Sequence, residues 1–130
     1  GILALLRRLK AAGVQIAVVS NKLDEAVQVL NRVHFEGLFE EAKGERADIR
    51  RKPAPDMVFA VLASLGLKPE EAVYIGDTEV DMETARNSGM DCISVSWGFR
   101  SREALEALGA TRIVDRAEEI YDMIVGNKDK

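Results

Sequence analysis

The stretch VYIGDTEVD, residues 73–81, carries a short apolar strand directly into a helix. Residues 73–75 combine β-branched and aromatic side chains, which is typical of a buried strand, and Gly76 ends it. The helix predicted over residues 78–88 follows at once and stops at Gly89. A strand that leads straight into a helix is the repeating unit of parallel sheets.

The same alternation of strand and helix extends through the rest of the chain. A polar loop is predicted over residues 43–52, and the prolines at 53 and 55 open a helix that Gly66 ends. The remaining helices are predicted at 2–12, 23–33, 101–108 and 118–125, and the remaining strands at 16–19, 38–42, 92–95 and 113–114. This order predicts a three-layer, Rossmann-like α/β fold with a mostly parallel sheet. Residues 1–130 form one domain in this interpretation, with a frayed tail at 126–130.

The composition is that of an ordinary globular domain. The 130 residues are 47% hydrophobic and 31% charged, which argues against disorder and against a coiled coil. The net charge of −4 does not favour binding to nucleic acid. No apolar run approaches the roughly 20 residues of a membrane helix, so no membrane partner is expected. Cys92 is the single cysteine, which fits a reducing cytoplasm.

Open α/β sheets hold their ligands outside the carboxyl ends of the strands, and two polar groups of the sequence are predicted to lie there. Ser20 and Asn21 follow the strand at 16–19, and a hydroxyl beside backbone N–H groups suits an anion. The alternative is that Ser20 or Asn21 simply caps the next helix. Lys52 stands before Pro53, and its fixed ammonium would neutralise phosphate charge. The alternative is a solvated basic loop.

A third group is the carboxylate pair Asp77 and Asp81, four residues apart at the start of the predicted helix. That spacing allows both carboxylates to face one point, and such oxygen ligands suit Mg²⁺. Capping by Asp77 and plain surface exposure of Asp81 are the alternatives. A carboxylate at the end of a buried strand is nevertheless hard to explain by capping alone.

The order of hydroxyl, lysine and carboxylate pair resembles the haloacid dehalogenase (HAD) superfamily of phosphohydrolases, in particular its phosphoglycolate-phosphatase-like members. The second, third and fourth family motifs correspond to VVSNK at 18–22, RKPAPD at 51–56 and GDTEVD at 76–81. The flanking stretches ARNSGM at 85–90 and VSWG at 95–98 are also similar to the family. The resemblance covers nearly the whole chain.

This resemblance implies roles for five residues. Ser20 would hydrogen-bond the transferring phosphoryl group, with Asn21 beside it, and Lys52 would stabilise the charge on nucleophile and phosphate. Asp77 would bind Mg²⁺ directly, and Asp81 would lie in the inner or outer coordination sphere. The complete enzyme would hydrolyse a small phosphate monoester with Mg²⁺, so its partner is a small phosphorylated metabolite.

The first family motif, a DxDGT-like stretch, is missing from the sequence. In the family its first Asp is the nucleophile, and the motif follows a central strand. The resemblance therefore implies the C-terminal portion of a longer phosphatase, truncated before the second motif and inactive or severely impaired alone. Three outcomes are expected for the sheet: the flanking strands pair directly, a second copy of the chain fills the gap, or a partner chain does.

Other functions fit the sequence less fully. A non-catalytic module that binds Mg²⁺, phosphate or a protein is the main alternative, and the absent nucleophile favours it. A dinucleotide-binding domain lacks support because no G-x-G-x-x-G follows any strand. A phosphorelay receiver shares the layering but places its acidic cluster near a first strand.

Overall fold

The computed structural model describes residues 1–125, so the predicted frayed tail lies outside the described residues. Within them, no helix is both long and apolar enough to cross a bilayer. The helices are α1 (Ile2–Ala11), α2 (Asp24–Val29), α3 (Asp56–Leu65), α4 (Glu79–Ser88), α5 (Arg102–Ala107) and α6 (Ala117–Ile124). The strands are β1 (Ala17–Leu23), β2 (Glu41–Glu45), β3 (Val73–Gly76), β4 (Asp91–Val95) and β5 (Ile113–Val114).

The strands form two parallel sheets. β1 pairs with β2, and β3, β4 and β5 pair in that order. The predicted α/β class with parallel strands is therefore confirmed. Among residues 1–125, β1 and β3 form no ladder with each other, so direct pairing of these two strands is wrong for the single chain. Insertion of a strand from a second copy or a partner stays a prediction.

Helices cover both faces of the strands. On β4 the alternation of side chains sends Ile93 into one apolar cluster and Cys92 against the other. The first cluster contains the buried leucines of α1 and Ile120 of α6, and the second contains buried residues of α3 and α4. Both clusters also contact the segment around β1, through Ile16 on one side and Val19 on the other. The result is the predicted three-layer arrangement.

Several boundaries differ from the sequence-based predictions by a single residue, and three elements differ by more. β1 continues to Leu23, so Ser20 and Asn21 lie inside the strand. β2 covers Glu41–Glu45 rather than residues 38–42, so the loop predicted from residue 43 begins only after Glu45. The side chain of Asn31 bonds both the N–H and the carbonyl of Phe39, and this holds the preceding segment outside the ladder. The helix predicted at 23–33 is α2 followed by a π-helical turn at Leu30–His34.

Candidate active site

A buried ion pair lies at the carboxyl end of β3. The Nζ of Lys52 donates to Oδ1 of Asp81 over 2.8 Å, and the two side chains are 14% and 9% exposed. These residues are 29 positions apart in the chain. The structure thus brings together the lysine of one predicted group and a carboxylate of another.

Four donors share the carboxylate of Asp81. Lys52 and the hydroxyl of Tyr74, at 3.0 Å, bond Oδ1, while the N–H of Asp77, at 3.0 Å, and the hydroxyl of Thr78, at 3.2 Å, bond Oδ2. Burial raises the pKa of Asp81, but the bond and charge of Lys52 and the other donors outweigh it and lower the pKa overall. The side chain is an ionised carboxylate held in one orientation, not the plain surface residue of the alternative interpretation.

The turn between β3 and α4 depends on glycine and threonine. A Cβ on Gly76 would lie 2.2 Å from the Cβ of Asp81, so only glycine allows this approach. Thr78 caps α4, because its hydroxyl accepts the N–H of Asp81 at 3.3 Å. The capping role considered for Asp77 therefore belongs to Thr78.

The carboxylate of Asp77 faces the loop after β4. Its Oδ2 accepts the N–H of Phe99 at 2.9 Å, and a Cβ on Gly98 would lie 2.2 Å from that oxygen. Arg100 anchors the loop to α4 through two bonds to Glu79, at 3.0 and 2.8 Å. Within residues 1–125 the other oxygen, Oδ1, accepts no hydrogen bond, so one oxygen of Asp77 is available to a ligand.

Asn21 holds the backbone of Lys52 from β1. Its Nδ2 donates to the Lys52 carbonyl at 3.2 Å, and its Oδ1 accepts the Lys52 N–H at 2.9 Å. From the other side, Nδ2 of Asn87 donates to the carbonyl of Pro53 at 2.9 Å. Lys52 therefore lies on a loop fixed at two points and is not a solvated side chain, whereas its neighbours Arg50 and Arg51 are exposed. Both the oxygen and the nitrogen of the Asn21 amide are thus engaged by the Lys52 backbone. The phosphate-binding role predicted for Asn21 stays a prediction.

Ser20 lies beside Asn21 within β1. Its Oγ accepts the N–H of Lys22 at 3.1 Å. The residue that precedes α2 is Leu23, and no side chain caps that helix. The capping alternative for Ser20 is therefore wrong, and its half-buried hydroxyl keeps a donor hydrogen for another partner.

The predicted metal site depends on Asp77 and Asp81. Within residues 1–125 there is no group of three or more His, Cys, Asp or Glu side chains arranged to hold a metal ion. Mg²⁺ does not require such a group, because it binds through one or two carboxylates and keeps several waters. The available oxygen of Asp77 suits a direct contact with the ion. Each oxygen of Asp81 already accepts two hydrogen bonds, so contact through a metal-bound water would replace one of these donors. Magnesium binding by this pair stays a prediction.

Sequence reasoning missed Tyr74 and Asn87. Tyr74 is 7% exposed between two apolar strand residues, and a buried tyrosine hydroxyl requires a partner, so its position was a usable signal. Asn87 is an exposed helix residue with no local signal of its contact with Pro53.

Comparison with known proteins gives a consistent family. The model of the family described as haloacid dehalogenase-like hydrolase matches residues 1–95. A phosphoglycolate phosphatase of Aquifex aeolicus is 36% identical over 95 residues, which is 72% of this chain and 45% of the relative. A phosphoglycolate phosphatase of Rhodospirillum rubrum is 33% identical over 129 residues, which is 95% of this chain and 52% of the relative.

A solved structure is more similar still. It is a protein of Lactobacillus delbrueckii subsp. bulgaricus, named provisionally as a phosphoglycolate phosphatase, with 54% identity and a TM-score of 0.93. The match covers 96% of this chain and 52% of that protein. The chain thus spans about half the length of the relatives it matches. The family model, the curated relatives and the solved structure agree, and the chain belongs to the haloacid dehalogenase-like hydrolases.

Proposed function

We propose that this chain forms the phosphate- and Mg²⁺-binding part of a HAD-type phosphatase that hydrolyses a small phosphate monoester. The observation that carries the proposal is the buried pair of Lys52 and Asp81, held beside Asp77 at the end of β3. A fixed, ionised lysine next to a carboxylate with an available oxygen is suited to a phosphate group and its metal ion.

Phosphoryl transfer requires positioning and neutralisation of charge above all. Lys52 supplies a positive charge, and its bond to Asp81 sets the orientation of the ammonium group. Asn21 fixes the backbone of Lys52. The hydroxyl of Ser20 donates to a phosphoryl oxygen in this proposal. Mg²⁺ held at Asp77, with Asp81 contacting it through water, would neutralise charge on the phosphate when bound.

The family and the relatives support a proposed substrate class. The Aquifex and Rhodospirillum relatives are named as phosphoglycolate phosphatases. For this chain we propose the broader class, a small phosphorylated metabolite, because the roles proposed for its residues concern only the phosphate group and the metal ion and not the rest of the substrate. Cys92 is a free thiol among the described residues, and this supports a reducing, cytoplasmic location.

The chain lacks the DxDGT-like motif that supplies the family's nucleophile. In another nucleophilic enzyme, loss of the nucleophile costs about 10⁶ in rate. We therefore propose that these 130 residues alone are inactive or severely impaired.

The edges of β1 and β3 support completion of the sheet by a further strand. Each of these strands has one ladder partner within residues 1–125, and Ile75 in β3 is 40% exposed. An unpaired strand edge is a binding surface for an extended segment. We propose that a partner chain inserts a strand between β1 and β3.

Light scattering tests this proposal. A stable monomer that takes up no partner contradicts it, and a dimer assigns the inserted strand to a second copy of the chain.

Hydrolysis of p-nitrophenyl phosphate tests the proposed activity. The chain alone is expected to show no turnover above its Asp77→Asn variant. Addition of a synthetic apolar strand that ends in a DxDGT-like sequence is expected to produce Mg²⁺-dependent turnover, which Asp77→Asn abolishes. Turnover by the chain alone that disappears in Asp77→Asn would contradict the proposed impairment, because another carboxylate would then act as nucleophile.

A non-catalytic module that binds phosphate or Mg²⁺ is the second candidate, and the absent nucleophile motif favours it. The two candidates share the same binding residues and differ in turnover. Phosphate binding without turnover in the presence of the added strand supports the binding module.

A further inference from the structure

Tyr74 contributes a polar group to an otherwise apolar cluster. The residue is 7% exposed and packs with Val58, Leu62 and Ala85 between the strands and the helices α3 and α4. Phenylalanine would fill the same space without the need for a buried hydrogen bond. The hydroxyl reaches out of the cluster to Oδ1 of Asp81, 3.0 Å away.

Tyr74 contacts both members of the buried ion pair. Its hydroxyl and the Nζ of Lys52 donate to the same oxygen of Asp81, at 3.0 and 2.8 Å. The Nζ also lies 5.9 Å from the centre of the Tyr74 ring, within range of a cation–π attraction. The ring thus borders the ammonium while the hydroxyl fixes the oxygen that the ammonium binds.

We propose that Tyr74 is a positioning residue that sets the direction of the Lys52 ammonium for phosphate binding, an inference that rests on the proposed function. Two donors on Oδ1 and two on Oδ2 leave the carboxylate of Asp81 a single orientation. Without the hydroxyl, a buried carboxylate loses a donor and can turn, and the ammonium follows it. Hydrogen bonds to charged groups are among the stronger ones in proteins, so the effect is measurable.

The variant Tyr74→Phe tests this directly, because it keeps the ring and removes the hydroxyl. The readout is the ¹H–¹⁵N NMR signal of the Lys52 ammonium, identified by its absence from Lys52→Arg. Its hydrogens are expected to exchange with water about tenfold faster in Tyr74→Phe than in the unaltered chain, since one bond to a charged group is lost. The affinity for inorganic phosphate, measured by calorimetry with Mg²⁺ present, is expected to fall by a similar factor.

Two control variants separate positioning from packing. Tyr121→Phe removes the hydroxyl of the other tyrosine in the sequence, on α6. Val58→Ala loosens the same apolar cluster without touching the hydrogen bonds of Asp81. Neither is expected to change the exchange of the Lys52 ammonium beyond its effect on global stability.

The outcomes distinguish this inference from the proposed function. Unchanged ammonium exchange in Tyr74→Phe overturns the inference, and so does equal acceleration in Val58→Ala, which would assign the effect to packing. Faster exchange confined to Tyr74→Phe supports it. If exchange behaves in that way but the unaltered chain binds no phosphate, Tyr74 still positions Lys52 and the proposed phosphate site is wrong.

Discussion

The ammonium of Lys52 and the carboxylate of Asp81 lie 2.8 Å apart, and both are largely withdrawn from solvent. A charge at this depth is tolerated when its partner is present and is costly when the partner is removed. The Lys52 ammonium therefore has two roles in this account. It compensates the buried charge of Asp81, which stabilises the domain, and it is the group proposed to bind a phosphate.

The variant Asp81→Asn is expected to destabilise the fold. It leaves the Lys52 ammonium buried without a counter-charge and directs an amide hydrogen toward groups that are themselves donors. The free energy of unfolding is expected to fall by about 3 kcal/mol, as for other broken buried pairs. Urea denaturation followed by circular dichroism measures this.

Asp56→Asn, which breaks the exposed pair with Arg50, is the control and should lower the free energy of unfolding much less. Equal losses in the two variants would contradict the importance of the buried pair.

Asn21→Ala is expected to release the loop that carries Lys52. The change removes both bonds to the Lys52 backbone, so phosphate affinity should fall about tenfold and stability by about 1–2 kcal/mol. Asn31→Ala is a matched control, because Asn31 makes the same two kinds of bond to the backbone of Phe39. Calorimetry on both variants is the measurement. The account fails here if Asn31→Ala weakens phosphate binding as much as Asn21→Ala.

Gly98→Ala is expected to displace the carboxylate of Asp77. The new Cβ would lie 2.2 Å from Oδ2 and 2.5 Å from the Cβ of Asp77, so the side chain or the loop must move. Disturbing the groups that orient a metal ligand typically costs 10–100-fold in affinity, and a loss of roughly this size is expected for Mg²⁺. Ser96→Ala in the same loop is the control, because its hydroxyl bonds Asp115 instead. Unchanged Mg²⁺ affinity in Gly98→Ala would remove Asp77 from the metal site.

The stability of the fold is expected to depend on pH through Asp24. The N–H of Gly44 donates to Oδ1 of this residue at 2.9 Å, and this bond, with a smaller contribution from Gln28, lowers the pKa of Asp24. A lowered pKa in the folded state stabilises the fold above the unfolded value of about 3.9, and the stabilisation is lost as the pH falls through the folded pKa.

Asp24→Asn isolates this contribution. Above about pH 5 the variant is expected to be less stable than the unaltered chain by about 1 kcal/mol, a figure that allows for the partial exposure of Asp24. The difference should shrink as the pH falls below about 4. Urea unfolding of both proteins across this pH range measures the difference in their free energies of unfolding. A difference that does not change with pH would contradict the account, because the loss of stability would then come from the amide side chain itself and not from the missing charge.

Local signals in the sequence determined most of the helices and strands. Gly66 and Gly89 end α3 and α4 in the left-handed conformation, with φ of 70° and 73°, as their positions directly after the two predicted helices indicated. β2 was misplaced because the side chain of Asn31 binds the segment before it, and that contact has no local signature. The division into two sheets depends on which strand edges meet, which residue spacing does not encode.

The candidate site was predictable as a set of residues and less so as a network. Ser20 and Asp77 stood out because each follows a predicted strand, Lys52 because it precedes Pro53, and Asp81 because it lies four residues after Asp77. The structure joins Lys52 to Asp81. Their supporting contacts come from distant parts of the chain. The bond between Asn21 and Lys52 spans 31 residues, and sequence alone suggested a phosphate contact for Asn21 instead.

The affinity for inorganic phosphate in the presence of saturating Mg²⁺ tests the central claim most directly. Titration calorimetry on the 130-residue chain is expected to show binding that Lys52→Ala abolishes and that Arg50→Ala, on the exposed side of the same loop, leaves unchanged. No binding by the unaltered chain, or binding that Lys52→Ala does not weaken, would contradict the assignment of this site to phosphate.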